Sequence, residues 1–190
     1  MSWITSITPE SAPPTLKPVY ERIRARSSSQ RVSRIWQAWG AHPEGLESAF
    51  NAYRSLMDEP APLTTAQAEM IALVVSATNG CGYCVAHHGP KLAVALANEA
   101  LARAVARDYR AADVPARDRV LFDYAVALSC EPAERTEEDV ERLREYGFDD
   151  PAILQATEVA ALFNLLNRLI NGLGVTLEDG VEEWAFGAQK

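Results

Sequence analysis

The sequence predicts an all-α protein of seven to nine helices. Apolar residues recur at the i, i+3, i+4, i+7 spacing of one helix face along most of the chain. Residues that start or stop helices stand between these runs. No segment alternates apolar and polar residues convincingly, as a half-buried strand would. Because 190 residues is the size of one domain, we predict a single helical domain over 1–190.

Three amphipathic runs in the first third of the chain predict the first helices. Each run places its apolar members on one face: Leu16, Val19, Tyr20 and Ile23; then Val32, Ile35, Trp36 and Trp39; then Leu46, Ala49, Phe50, Tyr53 and Leu56. A break follows at Pro60-Ala61-Pro62, since proline fixes φ and removes a backbone donor.

Two helices are predicted around the middle of the chain, joined by a tight turn. Thr64 or Thr65 offers an N-cap for the first helix, and Asn79-Gly80 a C-cap. The second begins just after Gly80. We expect Gly89-Pro90 to kink or end it, because proline disrupts a helix interior.

The second half of the chain repeats the helical pattern. A stripe over residues 120–128 stops at Pro132, and a capping box at Thr136–Asp139 opens a helix that ends at Gly147. Asp150-Pro151 then resembles an N-cap followed by proline at the first helical position. The helix that follows, 152–171, is apolar on much of its circumference, so we expect it to be buried centrally or against another subunit.

Charge and composition exclude several classes of protein. A net charge of −8 and a pI near 4.9 argue against a nucleic-acid-binding protein, which needs a basic surface. The apolar stretches are shorter than the roughly 20 residues that span a bilayer. The N-terminus lacks the basic and apolar regions of a signal peptide. Three cysteines are too few for a disulfide scaffold, so we expect a cytoplasmic protein without membrane or nucleic-acid partners.

Reactive side chains concentrate in residues 81–88, Cys-Gly-Tyr-Cys-Val-Ala-His-His, which hold two of three cysteines and two of three histidines. The free N–H groups of a helix start favour a thiolate there. The i, i+3 spacing puts the sulfurs of Cys81 and Cys84 on one face, close enough for a disulfide.

Glu69 belongs to the same predicted site. It lies twelve residues before Cys81 on the preceding helix. If the chain reverses near 78–79, Glu69 and His88 are about equally far from the turn and meet across the helix pair. A carboxylate, an imidazole and a dithiol form a set that can relay protons.

This arrangement resembles a known family. Glu69, Cys81-Gly-Tyr-Cys84 and His88 are similar to the core motif of the AhpD-like alkylhydroperoxidases, within the carboxymuconolactone decarboxylase superfamily. The likeness covers a redox core of about 65–97. The tail at 163–168 and 173–175 resembles the peroxidase-related branch of that family.

The resemblance implies a cysteine-based peroxidase with an AhpD-like helical fold. Cys84 would attack a hydroperoxide, Cys81 would resolve the product as a disulfide, and Glu69 and His88 would relay protons. An external dithiol system would then reduce the disulfide. We expect no cofactor and no metal, because no haem, flavin or nucleotide motif is present. The best-known enzymes have a histidine where this chain has Tyr83, and the extra histidine His87 could compensate.

Three other functions fit parts of the pattern. The dithiol could serve a general thiol–disulfide oxidoreductase or redox sensor, although that usually accompanies a βαβ pattern. Cys81, Cys84, His87 or His88, with Glu69, could hold zinc. A decarboxylase would leave the dithiol unexplained.

Two arguments disagree about which sulfur attacks. The helix dipole favours Cys81, the thiol nearer the free N–H groups. A local base favours Cys84, because His88 lies one helical turn away on the same face. We favour Cys84.

We predict a homo-oligomer, a trimer or hexamer as in the family. The apolar helix at 152–171 and four tryptophans (Trp3, Trp36, Trp39 and Trp184) exceed what a chain of 190 residues needs for one core. Sedimentation at micromolar concentration tests this, and a species of only 20.8 kDa would contradict it.

Overall fold

The computed structural model describes residues 2–27, 29–58 and 62–187, and this part of the chain is helical, without a strand. The nine α-helices within it are α1 (Lys17–Arg26), α2 (Arg34–Ala38), α3 (Pro43–Met57), α4 (Thr65–Thr78), α5 (Gly82–Leu96), α6 (Glu99–Asp108), α7 (Ala116–Cys130), α8 (Glu137–Glu145) and α9 (Asp150–Leu173). Short 3₁₀ turns occupy Trp39–Ala41 and Pro132–Glu134. The predicted all-α class is confirmed.

Helix α4 lies at the centre of the fold. It packs against α3, α5, α6, α7 and α9, and every residue from Ala68 to Thr78 is buried. A helix that is apolar nearly all round is stable only in such a position. It starts where the sequence predicted, because Thr64 and Gln67 form a reciprocal capping box.

Helix α9 is the second central element, as its apolar circumference predicted. It packs against α3, α4, α7 and α8. One apolar cluster gathers around α4, α6, α7 and α9, and the other joins α1, α2 and α3 to α9 and to the start of α5. Cys81 and Cys84 lie in the second cluster, so the dithiol is part of the packed interior.

Three local expectations need correction. Helix α5 runs through Pro90 to Leu96 instead of ending near His88, because packing on α4 and α6 outweighs one lost backbone hydrogen bond. The N-cap of α9 is Asp149, whose side chain accepts from the Ala152 N–H at 3.0 Å, and not Asp150. Helix α6 was not predicted. The predicted proline break falls partly on residues 60 and 61, outside the described residues.

The C-terminal segment 175–187 returns across α5 and α6. Gly187 donates its N–H to the carbonyl of Ala106 at 3.2 Å. The buried indole of Trp184 packs against Gly89 of α5 and under the guanidinium of Arg103, 4.3 Å from the ring centroid. None of the described helices combines the length and apolar character needed to cross a lipid bilayer.

Gly89 gives a test of this tail packing. A Cβ there would lie 2.3 Å from the Trp184 ring, whereas a Cβ at Gly172 of α9 would meet nothing within 4 Å. We expect Gly89→Ala to destabilise the fold by about 1–3 kcal/mol through overpacking. Gly172→Ala should be neutral or stabilising by up to about 1 kcal/mol, since alanine favours a helix. Urea unfolding midpoints measure both, and equal midpoints would contradict the packing described.

Candidate active site

A tight turn between α4 and α5 positions the site. Gly80 takes a left-handed conformation with φ of +65°. The N–H of Cys81 then bonds the carbonyl of Ser76 at 2.9 Å, which is the hydrogen bond that closes a Schellman motif. Cys81 is also the N-cap of α5, and its carbonyl accepts from Val85 at 3.1 Å. The chain therefore ends one helix and begins the next within three residues.

This reversal brings Glu69 to His88, as the sequence predicted. Glu69 Oε2 and His88 Nδ1 are 2.6 Å apart, and both side chains are buried. A carboxylate only accepts, so His88 donates through Nδ1 and keeps an unprotonated Nε2. Burial lowers the pKa of His88 and outweighs the opposing effect of the Glu69 charge. The imidazole is therefore neutral at pH 7 and able to accept a proton.

Aromatic rings fix the His88 imidazole. Phe163 of α9 meets it edge-on, with ring centroids 4.7 Å apart, and Tyr53 of α3 meets it at 6.1 Å. The Tyr53 hydroxyl accepts from Lys91 Nζ at 2.6 Å, and burial raises the pKa of Tyr53 to about 12. Tyr53 is thus a neutral wall of the site at physiological pH.

Cys81 and Cys84 are buried, free thiols that hydrogen-bond each other. The Cys84 thiol and the backbone N–H groups of Cys84 and Tyr83 lower the pKa of Cys81, against the effect of burial. Burial raises the pKa of Cys84, and its interaction with Cys81 adds to that rise. Cys81 is therefore the more readily ionised of the two thiols, in agreement with the helix-dipole argument.

Asn167 of α9 also contacts the thiols. Its amide lowers the pKa of both thiols and so favours their thiolate forms. The same side chain donates to Ser76 Oγ at 3.1 Å and accepts from Asn79 Nδ2 at 2.9 Å. The site predicted from the sequence did not include Asn167. Its signal was a polar side chain on an apolar helix, where a buried amide needs partners.

A cavity of about 740 Å³ opens onto these residues. Cys84, Glu69 and His88 line it, whereas Cys81 does not and is completely buried. A small molecule in the cavity therefore meets Cys84 first. The two properties of a good nucleophile therefore lie on different sulfurs. Cys81 has the lower pKa, whereas Cys84 can be reached by a molecule in the cavity.

A second carboxylate, that of Glu178, hydrogen-bonds Tyr83 and His87. Tyr83 donates to Glu178 Oε1 at 2.7 Å, and His87 Nε2 lies 2.8 Å from Oε2. Burial alone would raise the pKa of Glu178, but hydrogen bonds from His87, the Arg34 N–H and Tyr83 lower it to about 2. Both residues also line the cavity. Sequence gave no sign of Glu178, which is 91 residues from His87.

Comparisons with known proteins agree with this fold and motif. The family model described as carboxymuconolactone decarboxylase family matches residues 44–122, which include the whole Glu69–His88 arrangement. A crystal structure of an AhpD-core, uncharacterised peroxidase-related protein from Ralstonia eutropha JMP134 is 29% identical, with a TM-score of 0.84 over 94% of this chain and 93% of that one. The chain is similar to AhpD-like, peroxidase-related proteins, and its residues 44–122 match the carboxymuconolactone decarboxylase family.

Two other solved structures extend the comparison. An uncharacterised peroxidase-related protein from Silicibacter sp. TM1040 is 29% identical, with a TM-score of 0.81 over 90% of this chain and 88% of that one. A debrominase in complex with 2,3,4-tribromopyrrole is 20% identical, with a TM-score of 0.77 over 94% and 95%, and shares the fold. No protein of curated function matches the chain significantly.

The residues considered as zinc ligands are not arranged around one metal position. In the described ranges, no three His, Cys, Asp or Glu side chains gather around a metal position. His87 pairs with Glu178 and His88 with Glu69, which separates the two histidines. Cys130 is exposed at the end of α7.

Asn167→Ala should raise the pH at which the Cys81 thiolate forms, because it removes a donor to the sulfur. It should also cost about 1–3 kcal/mol of stability, since Ser76 and Asn79 lose their partner. Asn164→Ala is the matched control, because Asn164 also accepts from Asn79, at 3.0 Å, without affecting the thiols. Ultraviolet thiolate absorbance against pH measures the change in Cys130→Ser protein. Superimposable curves would contradict a role for Asn167 at the sulfurs.

Proposed function

We propose that this protein is a thiol-dependent peroxidase that reduces hydroperoxides through a dithiol–disulfide cycle of Cys84 and Cys81. The observation that carries the proposal is the common cavity of Cys84 and the buried Glu69–His88 pair. A nucleophile, a neutral base and a carboxylate that orients the base are then present at one surface.

The first step forms a sulfenic acid on Cys84. His88 Nε2 takes the thiol proton, and the Cys84 sulfur attacks the terminal oxygen of the hydroperoxide. The O–O bond breaks, the sulfur is oxidised to S–OH, and the organic part leaves as an alkoxide. His88 returns the proton to this alkoxide, which gives the alcohol. Glu69 stabilises the imidazolium between the two transfers.

The second step forms the disulfide. The Cys81 thiolate attacks the Cys84 sulfur, and the S–OH oxygen takes up a proton and leaves as water. The lowered pKa of Cys81 favours this role, because the resolving thiol must react as a thiolate. An external dithiol small enough to enter the cavity then attacks Cys84, and Cys81 leaves readily because a thiol of lowered pKa is a good leaving group. A second exchange completes the reduction.

Burial of the sulfurs favours this reading over a general thiol–disulfide oxidoreductase. Cys84 is 4% exposed and Cys81 is 0% exposed. A protein disulfide must bring its own sulfur into line with the attacking sulfur, which this depth prevents without local opening. A small hydroperoxide reaches Cys84 through the cavity.

Mass spectrometry of the reduced Cys130→Ser protein tests the proposal. One equivalent of an organic hydroperoxide should yield the alcohol and remove the two thiol hydrogens. Peptide mapping should then find a bond between Cys81 and Cys84. Unchanged thiols after exposure to several hydroperoxides would contradict a peroxidase.

Glu69→Gln should slow this oxidation by about 10²-fold or more, the usual range for lost acid–base catalysis. Wild-type oxidation should decline only below the ordinary histidine pKa of about 6.5, because burial lowers the pKa of His88. Removing the Glu69 charge lowers the pKa of His88 further. The acid limb of the pH–rate profile, where the oxidation rate falls as His88 becomes protonated, should therefore move to lower pH. Stopped-flow rates against pH measure both effects.

The control for Glu69→Gln is Asp58→Asn. This variant also removes a carboxylate that lines the cavity, but Asp58 does not hydrogen-bond His88. It should keep the wild-type acid limb. A folded Glu69→Gln protein with the wild-type rate and pH profile would show that Glu69 only supports the fold.

A further inference from the structure

The size and lining of the cavity indicate the class of substrate, if the protein is the peroxidase proposed above. Its volume of about 740 Å³ is roughly 25 times the share of one water in the liquid, about 30 Å³. Hydrogen peroxide, only slightly larger than water, fills little of it. The volume lies within the range of about 300–1,000 Å³ that accommodates organic ligands.

The inner wall of the cavity is apolar. Three helices contribute aromatic and aliphatic side chains, namely Ile35, Trp36, Phe50, Phe163, Leu166 and Ile170. All of these side chains except Phe163 belong to the apolar cluster that joins α1, α2 and α3 to α9. A hydrocarbon chain is therefore the part of a ligand that gains most from entering.

The rim of the cavity is basic. Arg26 at the end of α1, Arg31 before α2 and Lys91 on α5 line it and are exposed. Arg26 and Arg31 form no ion pair with the described residues, while Lys91 donates to Tyr53. The rim carboxylate Asp58 already lies 3.9 Å from Arg54. This concentration of positive charge stands out in a chain of net charge −8.

The floor of the cavity, formed by Glu69, His88 and Cys84, is acidic and not basic. The Glu69 carboxylate lies there, hydrogen-bonded to His88, and Cys81, the more readily ionised thiol, is buried behind the cavity wall. An anionic group of a ligand is repelled from the floor and attracted to the rim. The ligand is thereby oriented with its charged end outward.

We propose that the substrate is a long-chain organic hydroperoxide that carries a carboxylate, of the fatty-acid hydroperoxide class. The carboxylate binds Arg26 and Arg31, the hydrocarbon lies along the apolar wall, and the O–O group reaches Cys84. Cys84 removes the terminal oxygen, and the product is the corresponding hydroxy acid. The external dithiol supplies the two electrons, and water leaves when the disulfide forms.

A matched pair of substrates tests this. Reduced protein is mixed in stopped flow with a fatty-acid hydroperoxide or with its methyl ester, both below their micelle concentrations. The acid should react faster than the ester by roughly fivefold to tenfold, the range that two exposed ion pairs supply. Added salt should reduce this ratio, because it screens the rim charges.

Two variants locate the effect. In Arg26→Gln/Arg31→Gln the acid-to-ester ratio should fall towards one. Arg24→Gln is the control, because Arg24 lies on the same helix but outside the cavity, and it should keep the wild-type ratio. Equal acid and ester rates in the wild type, or a ratio unaffected by the double variant, would overturn the substrate assignment. Failure of every hydroperoxide, neutral ones included, to oxidise the dithiol would instead overturn the peroxidase function.

Discussion

The site depends on the turn that reverses the chain between α4 and α5. Only three residues separate the helices, and Gly80 makes the reversal possible through its positive φ. A short connection forces the helices to be antiparallel neighbours, so residues equally far from the turn face each other. Glu69 and His88 meet for this reason. The same turn places Cys81 at a helix start, where free N–H groups stabilise a thiolate.

The packed interior supplies the other groups that surround the thiols and His88. Helix α9 brings the Asn167 amide to both sulfurs and the Phe163 ring to His88. Because these contacts come from a long, tightly packed helix, the polar groups of the site have little freedom to rearrange. Burial then lowers the pKa of His88 and raises that of Cys84. The more readily ionised thiol is buried, while the accessible thiol lines the same cavity as the His88 imidazole.

The sequence predicted the parts of the site that depend on local spacing. The Thr64 cap, the turn at Asn79-Gly80 and the Glu69–His88 contact follow from caps and from counting residues around a reversal. It did not predict Glu178, because the tail reaches Tyr83 and His87 only through tertiary packing. It misjudged Pro90 for the same reason, since neighbouring helices hold α5 together. Long-range contacts of this kind leave no periodic pattern in the chain.

The division of labour between the sulfurs is the central claim, and sulfenic acid trapping tests it most directly. Cys81→Ser and Cys84→Ser proteins, both with Cys130→Ser, are treated with one equivalent of hydroperoxide in the presence of dimedone and then mapped by peptide. The account predicts that Cys81→Ser consumes the peroxide and carries the label on Cys84, while Cys84→Ser reacts little faster than an ordinary thiol. A label on Cys81 in the Cys84→Ser protein, formed at the wild-type rate, would contradict it and make the low-pKa thiol the nucleophile.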